Sequence, residues 1–441
     1  MPNSYTPLVA PSPEHLGRFD HITHLPSRLQ FEDYFSWRRD SAVDQPGTLV
    51  LVTLADARHY NEVLRALGMA FAENFVRAGA RLLTSVLPPS TPIFHVSVLS
   101  FAFTIEQTCL DAHPNIATTI ARSFSDAIDV DAIPIKTRVG VGLLPINAVR
   151  SAAESLRAAL TAAQDSRGTE TGISFYNHGS DAAHLRAFRI LADLPAAIAQ
   201  PGQLTLNFQP RIQMQTGQCK GAEALLRWTH PELGPISPAE FIPLVEQTAL
   251  IAPLTDWVMA TAMTTNRALL ELGHSLRMSI NASPVNLSEP GFDEMLLASC
   301  SAHRLEPHHV ELEFTEGTLA TNANCAIQQL ARLRAAGVDV ALDDFGSGYS
   351  NLSYLDRLPA DVLKIDQSFV RPLREPGDDD FLLRQILLLA KGMGFRVCAE
   401  GIETRHAYDL LRDLGCDEAQ GYYMARPMPE AEFRAWLTAH S

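Results

Sequence analysis

The chain has 441 residues, of which 46% are hydrophobic, and a formal net charge of -15 at pH 7. A chain of this length can bury large cores and is expected to form two domains. The negative charge argues against nonspecific binding to a nucleic acid polymer, and a phosphorylated ligand would need local compensation by metal ions, lysine or arginine.

The cysteines and the N-terminus carry little sign of an oxidising or membrane environment. The six cysteines contain no CxxC pair, so they predict neither a zinc ribbon nor a disulfide framework. Residues 1–16 are rich in proline and serine and lack the basic start and apolar core of a signal peptide, and no later apolar run approaches about 18 residues. We therefore expect a cytoplasmic protein without a membrane segment.

The first 180 residues or so alternate apolar runs with alanine-rich helical segments. The runs are Thr48–Leu54, Phe94–Thr104 and Thr137–Leu144, and the helical segments include Val63–Thr84 and Ala152–Ala163. This pattern predicts a mixed α/β domain over residues 20–180, after an N-terminal arm at residues 1–19. Ala182–Gln200 has a helical pattern that ends at Pro201-Gly202, so residues 181–200 are predicted to form a linker helix.

From about residue 201, β-type runs alternate with helical stretches. There are eight such runs: Leu204–Phe208, Gly221–Arg227, Arg277–Ala282, Val310–Thr315, Val338–Asp343, Asp361–Asp366, Arg396–Glu400 and Glu418–Tyr422. Eight strands separated by helices predict a TIM-like (β/α)8 barrel over residues 201–441.

The predicted barrel strands carry polar residues on one face. Alternate side chains of a barrel strand face the lumen and the helical shell, so Leu312 and Phe314 would face the helices while Glu311, Glu313 and Thr315 face inward. Glutamates rarely point into a core without a partner. The same alternation sends three more polar residues inward near the ends of their strands: Asn281, Lys364 and Glu400.

Asp343-Asp344 ends an apolar strand where a glycine-rich loop begins. Adjacent carboxylates repel unless a proton or a cation neutralises them, and divalent metal ions are the usual cations at the mouth of an enzyme barrel. An ordinary turn after the strand is the alternative for this pair, and a lumen salt bridge between Lys364 and Glu400 is the alternative for those two residues. The combined set of oxygen donors favours a Mg²⁺ or Mn²⁺ site at the carboxyl ends of the strands.

Five segments of the barrel resemble the EAL-domain cyclic di-GMP phosphodiesterases over residues 201–441. They are Glu223-Ala224-Leu225 with Leu226-Arg227-Trp228, Asp343 to Leu352, Lys364-Ile365-Asp366, Ala399 to Glu403, and Gln420-Gly421-Tyr422. The resemblance implies hydrolysis of cyclic di-GMP to linear pGpG with two Mg²⁺ or Mn²⁺ ions. Two metal ions can lower the pKa of a water and stabilise charge on the attacking and leaving oxygens.

The same resemblance implies a role for each candidate site residue. Glu223, Asn281, Glu313 and Asp343 would hold one metal ion, and Asp343 and Asp344 the second. Lys364 would position or deprotonate the water with Glu400 nearby, Glu316 would brace the loop after Asp344, and Glu403 and Gln420 would support or orient the water. Gln209, Arg227 and Gln420 would contact the substrate.

The N-terminal domain resembles a GGDEF diguanylate cyclase domain whose chemistry is missing. Asp20 to Arg28 and Ala57 to Gly68 resemble that family, but Ser97-Val98-Leu99-Ser100-Phe101 replaces its glycine pair and acidic residues. Thr53 stands where a metal-binding aspartate is expected. We therefore predict no cyclase activity and a regulatory or dimerising role, with weak GTP binding or a purely stabilising remnant as alternatives.

Two other functions remain open for the barrel. A receptor could bind cyclic di-GMP without cutting it, but such receptors usually lack some metal ligands and the candidate set here is complete. A purely structural scaffold would leave the inward carboxylates unexplained. The resemblance also implies a homodimer formed through the EAL domain.

Overall fold

A computed structural model describes residues 17–41, 47–106, 113–146, 151–315, 317, 319–346, 355, 358–375 and 377–440. The chain divides into two compact units, Met1–Arg186 and Ala187–Ser441. Most of the predicted N-terminal arm and the loop at residues 347–354 lie outside the described residues. Within the described ranges, no helix is both long enough and apolar enough to span a membrane.

The N-terminal unit is built around a five-stranded sheet. The strands of this unit, five in that sheet and two in a separate pair, are β1 (Gly47–Thr53), β2 (Phe94–Ser97), β3 (Ser100–Glu106), β4 (Ile128–Val130), β5 (Ile133–Ile135), β6 (Gly140–Ile146) and β7 (Ile173–Phe175). Its helices are α1 (Arg28–Ser41), α2 (Ala57–Leu67), α3 (Met69–Val86), α4 (His113–Ser123) and α5 (Ala152–Ser166). The sheet order is β2-β3-β1-β6-β7, and β4 pairs with β5 separately.

Strand β1 supplies two cores, one on each face of the sheet. Val50 and Val52 pack into a core that includes residues of α2, α3 and α4. Leu49 and Leu51, which alternate with them, pack against α1 and α5. Because successive side chains of a strand point to opposite faces, an unbroken apolar run indicates a strand covered on both sides.

The unit confirms the mixed α/β prediction but divides two of the predicted segments. The helical segment Val63–Thr84 is two helices separated at Gly68, whose φ of +86° favours glycine. The run Phe94–Thr104 is a hairpin of β2 and β3 that turns through Val98 and Leu99. Helix α6 (His178–Ala199) crosses the division between the units, so the predicted linker boundaries at residues 181–200 stay a prediction.

The C-terminal unit contains the barrel. Its strands are β8 (Leu204–Gln213), β9 (Cys219–His230), β10 (Gly234–Ile236), β11 (Arg277–Asn281), β12 (Val310–Thr315), β13 (Asp339–Phe345), β14 (Val362–Ile365), β15 (Arg396–Ala399), β16 (Glu418–Ala419) and β17 (Met428–Pro429). Its helices are α7 (Pro238–Val245), α8 (Ile251–Glu271), α9 (Pro284–Ser288), α10 (Phe292–Ala302), α11 (Leu319–Ala335), α12 (Gln367–Val370), α13 (Phe381–Gly392), α14 (Arg405–Asp413) and α15 (Glu430–Ala439).

Eight strands close into a barrel, which confirms the predicted fold. The closed order is β8-β9-β11-β12-β13-β14-β15-β16, with β8 paired to both β9 and β16. Strands β9 and β11 to β16 run parallel, whereas β8 is antiparallel to both of its neighbours. The barrel therefore differs in its first strand from a uniformly parallel TIM barrel.

The alternation predicted for β12 is confirmed by its packing. Leu312 and Phe314 belong to the large apolar core between the strands and the outer helices. Glu311 and Glu313 are fully buried and contact charged side chains from other strands in the lumen. The barrel interior thus holds a polar core surrounded by an apolar one.

Candidate active site

Lys364 is the centre of a cluster of carboxylates at the carboxyl ends of the parallel strands. Its side chain on β14 is 1% exposed, and its Nζ lies 2.6 Å from Glu400 Oε1, 2.8 Å from Glu313 Oε2 and 3.1 Å from Asp343 Oδ1. Glu223 Oε2 is 3.8 Å away. The lumen salt bridge between Lys364 and Glu400 exists, but one ammonium serves four carboxylates.

The Asp343-Asp344 pair sits on an irregularity of β13. The pairing of β13 with β14 shifts its register between Leu342 and Phe345, which turns two consecutive aspartates toward the end of the barrel. Asp344 has a φ of +54°, and its backbone N–H donates to Asp343 Oδ1 at 3.0 Å. Asp343 is buried while Asp344 is exposed, so the two carboxylates occupy different environments.

Glu223 on β9 is held by a chain of amides. Asn281 Nδ2 donates to Glu223 Oε1 at 3.0 Å, and Gln420 Nε2 donates to Glu223 Oε2 at 2.6 Å. Gln420 also donates to Gln209 Oε1 at 3.1 Å, and Gln209 in turn donates to the Ala425 carbonyl at 3.1 Å. Because β8 is antiparallel, its residue Gln209 lies in register with Glu223 and closes this ring of contacts.

Burial and mutual repulsion shift the protonation of these groups. Burial raises the pKa of Glu400 to about 8, although Lys364 lowers it. Burial also raises the pKa of Glu313 well above its usual value, against the lowering effect of Lys364. Burial lowers the pKa of Lys364, but the surrounding carboxylates outweigh burial and raise it well above its usual value. The cluster therefore has more negative groups than its lysine can neutralise.

The donor set fits divalent cations. Oxygen atoms of Asp343, Asp344 and Glu400 lie within 4.8 Å of one another. With Glu223 and Glu313, the site gathers five carboxylates, whereas the cations in contact with them are Lys364 and, at Glu313, Arg211. Gln420 Oε1 is buried and has no hydrogen-bond partner among the described residues, which leaves one more acceptor at the site. Carboxylate and amide oxygens are ligands that Mg²⁺ and Mn²⁺ accept.

The cluster opens into a cleft of about 320 Å³ that also contains Arg227 and Glu403. Arg227 donates to the Leu226 carbonyl at 2.8 Å, and Glu403 pairs with Arg371 Nε at 3.2 Å. The predicted substrate contacts and Glu403 thus lie around one opening, with Glu403 at the rim rather than beside Lys364. Glu316 and Tyr349 lie outside the described residues.

The sequence reasoning missed Arg211, a fully buried arginine on β8. Its guanidinium contacts Glu311, Glu313 and Glu418 inside the lumen. The signal was available, because Arg211 follows Gln209 by two residues and so shares its face of the strand. The predicted strand ended at Phe208, so Gln209 and Arg211 were not considered when we asked which strand residues face the lumen.

Thr53, at the end of β1 in the N-terminal unit, is bound by an arginine. Arg167 Nη2 donates to Thr53 Oγ1 and to the Ala55 carbonyl, each at 2.6 Å. Val98, at the turn of the β2–β3 hairpin, is 57% exposed. A guanidinium therefore contacts the residue that stands where the family resemblance expects a metal-binding aspartate.

The closed barrel and the acidic cleft at its strand ends define a β/α-barrel protein with an oxygen-rich acidic site. The model of the EAL domain matches residues 191–427, and that of the diguanylate cyclase GGDEF domain matches residues 18–171. The chain belongs to the EAL domain family, with a GGDEF domain preceding the EAL domain.

Named relatives come from Pseudomonas aeruginosa. A cyclic di-GMP phosphodiesterase is 36% identical over 95% of this chain and 71% of its own length. The bifunctional diguanylate cyclase/cyclic di-GMP phosphodiesterase MucR is 29% identical over 95% of this chain and 62% of its own length. A solved structure of the MucR phosphodiesterase in complex with cyclic di-GMP is 38% identical, with a TM-score of 0.52, and covers 56% of this chain and 99% of that one.

Proposed function

We propose that the barrel hydrolyses one phosphodiester of cyclic di-GMP to give linear pGpG, with two Mg²⁺ or Mn²⁺ ions as cofactors. The observation that carries the proposal is the cluster of five carboxylates around Lys364 at the strand ends. The cyclic di-GMP phosphodiesterase relative supports the substrate and the reaction.

Two sets of residues would hold the cations. Glu223, Asn281, Glu313 and Asp343 are the ligands proposed for the first ion, and Asp343 and Asp344 for the second, with Glu400 nearby. The Asn281 amide nitrogen donates to Glu223, so the amide oxygen is the atom left for a cation. Bound ions of this class lower the pKa of a water and stabilise charge on the leaving oxygen.

Lys364 would position the attacking water and stabilise negative charge in the transition state. The surrounding carboxylates favour its ammonium form, which donates hydrogen bonds rather than accepting a proton. Glu400, in contact with Lys364, would orient that ammonium. Gln420 would hold Glu223 and Gln209 in register, and Glu403 would act at the cleft rim.

The surroundings of the cluster suit a dinucleotide with two bases. Gln209 and Arg227 line the acidic cleft, where their donors could meet phosphate oxygens. A second cavity of about 470 Å³, lined largely by apolar side chains such as Leu226, Ile242 and Val258, also includes Arg227 and Asn281. A purine base would bury its faces there while its phosphate stays near the carboxylates.

The experiment is ion-exchange chromatography of cyclic di-GMP incubated with the protein and either Mg²⁺ or Mn²⁺. We expect pGpG from the wild type and at least about a 100-fold slower reaction from Glu223→Ala, because loss of a ligand removes several kcal/mol of transition-state stabilisation. Glu271→Ala, at an exposed glutamate of α8 that pairs with Arg267, is the control and should retain wild-type turnover. If the protein bound cyclic di-GMP but formed no pGpG with either metal ion, the phosphodiesterase proposal would be overturned in favour of a receptor.

A further inference from the structure

A second charged layer lies directly beneath the proposed metal site. Glu311 precedes Glu313 by two residues on β12, so both side chains face the lumen and their Cα atoms lie about 7 Å apart along the strand. Arg211 stands in the same relation to Gln209 on β8. The upper layer contains the proposed metal ligands, and the lower layer contains Arg211, Glu311 and Glu418.

The lower layer is built to hold the guanidinium of Arg211. Arg211 Nη2 donates to Glu311 Oε2 at 2.8 Å and lies 3.2 Å from Glu418 Oε2, and Arg211 Nη1 contacts Glu311 Oε1. Gly221, opposite Arg211 on β9, leaves the space for it, since a Cβ at that position would lie 3.2 Å from Arg211 Nε. Arginine and both lower carboxylates are almost entirely shielded from water.

One contact joins the two layers. Arg211 Nη1 also donates to Glu313 Oε1 at 3.4 Å, while the other oxygen of Glu313 accepts from Lys364 at 2.8 Å. The Glu313 carboxylate is thus fixed from below by Arg211 and from the side by Lys364. A guanidinium presents five N–H donors in a rigid planar fork, so Arg211 can hold carboxylates of both layers in a fixed geometry.

We propose that Arg211 is a positioning residue that holds the Glu313 carboxylate in place for the metal ion, a role that rests on the proposed function. Arg211 contacts Glu313 from the layer below the proposed metal ligands, so it would act through that carboxylate. Groups that orient a metal ligand typically contribute about 10- to 100-fold in metal affinity or activity.

The variants separate this role from the folding of the barrel. Arg211→Met alone would leave the Glu311 carboxylate buried without its cation. It is therefore combined with Glu311→Gln, so that the double variant lacks both charges of the pair. Arg211→Lys keeps the positive charge but loses the planar guanidinium and its several N–H donors. Arg277→Gln is the matched control, because the Arg277 guanidinium pairs with Glu418 and Asp339, whereas Arg211 pairs with Glu313.

The measurement is the Kd for Mn²⁺ by titration calorimetry on the full chain, together with turnover across a range of Mn²⁺ concentrations. We expect Arg211→Met/Glu311→Gln to bind Mn²⁺ at least about tenfold more weakly and to recover turnover at high Mn²⁺. Arg277→Gln should match the wild type. Circular dichroism and thermal melting verify folding, and if the double variant does not fold, a weakened Kd in Arg211→Lys is the deciding result.

A folded variant at Arg211 with wild-type Mn²⁺ affinity would overturn the positioning role while leaving the phosphodiesterase proposal intact. A loss of turnover that no Mn²⁺ concentration recovers, with an unchanged Kd, would overturn it as well. Wild-type protein that neither binds Mn²⁺ nor makes pGpG would instead overturn the proposed function itself.

Discussion

At the scale of single residues, the site combines opposing requirements on charge and backbone. Lys364 and Glu313 are fully buried with half-buried Glu400 beside them, because the Lys364 ammonium pairs with both carboxylates. Asp344 accepts a left-handed backbone conformation at the strand bulge. Such local departures from ordinary strand geometry are common next to active sites, where they aim a side chain.

Asp344 permits a test that separates its backbone from its carboxylate. Asp344→Asn should fold with nearly wild-type thermal stability, because asparagine tolerates a φ of +54°. The exchange should lower the affinity for the second cation at least about tenfold. Even residues that only orient a metal ligand typically contribute that much. Calorimetric titration with Mn²⁺ measures both binding steps.

The companion exchange Asp344→Ala should lose affinity and also about 1–2 kcal/mol of stability, since alanine disfavours the left-handed region. If Asp344→Asn left both the binding steps and the turnover as in the wild type, the second metal ion would have to be abandoned.

Asp20 provides a prediction for pH. Its carboxylate accepts from the Thr23 backbone N–H at 2.7 Å and lies 2.8 Å from His95 Nδ1, joining the start of the GGDEF domain to β2. Burial raises the pKa of Asp20, but the hydrogen bonds and His95 outweigh it and lower the pKa below 3.8. The stability from Asp20 is therefore present above pH 3.8 and is lost as the pH falls through the folded-state pKa.

We expect Asp20→Asn to lower the Tm at pH 7, and the difference from wild type to shrink below pH 4. Melting curves across this range measure it, with Asp33→Asn on the exposed side of α1 as the control. A Tm difference that stayed constant down to pH 3 would contradict the assigned carboxylate contacts.

At the scale of elements, helix α13 has an unusual outer face. Leu383, Ile386 and Leu387 are buried against the barrel, whereas Phe381 and Leu388 are 67% and 68% exposed. Positions 381 and 388 are two turns apart and lie on one side of the helix. An apolar face of this kind favours a partner surface, and we propose that it contributes to a homodimer of the EAL domain.

Leu388→Glu should shift the protein from dimer to monomer, because a charge in an apolar interface is costly to bury. Light scattering coupled to size-exclusion chromatography gives the mass. Leu272→Glu, at a leucine that is 59% exposed after α8, is the control for a new surface charge. An unchanged mass for Leu388→Glu would exclude α13 from the interface.

The strands of the barrel show which parts of the fold the sequence pattern could predict. The positions of the parallel strands were predictable because each pairs apolar outward residues with polar inward ones, as Leu312 and Glu313 do on β12. The last strand, Glu418–Ala419, is shorter than predicted, and Gln420 directly after it donates its side-chain amide to Glu223. Gly421 then packs against the backbone of Ile402, where a Cβ would collide.

At the scale of the whole molecule, the two units differ in the carboxylates that they offer to a metal ion. The barrel gathers carboxylates at its strand ends, whereas Thr53 in the GGDEF domain accepts a hydrogen bond from the Arg167 guanidinium. Valine and leucine at the hairpin turn offer no carboxylate for a metal ion. We therefore propose a regulatory role without cyclase activity for the GGDEF domain, as the sequence predicts.

The full chain should form no cyclic di-GMP from GTP and Mg²⁺. Because an active barrel would consume such a product, the assay uses the Glu223→Ala variant and the same ion-exchange chromatography. Accumulation of cyclic di-GMP would contradict the prediction. In parallel, pGpG formation by wild type with and without GTP tests regulation, and an equal rate at millimolar GTP would argue against GTP as the regulator.

The sequence by itself determined the barrel, the family and the residues that meet at the strand ends, because a period of two and the order of motifs are local properties of the chain. The tertiary structure alone decided the antiparallel course of β8 and the placement of Arg211 beneath Glu313. These depend on which strands become neighbours when the sheet closes, a relation between distant segments that no local pattern contains. Asp343 and Asp344 were recognisable as a pair, but the structure was needed to show that Asp343 is buried, that Asp344 is exposed and that β13 shifts its register there.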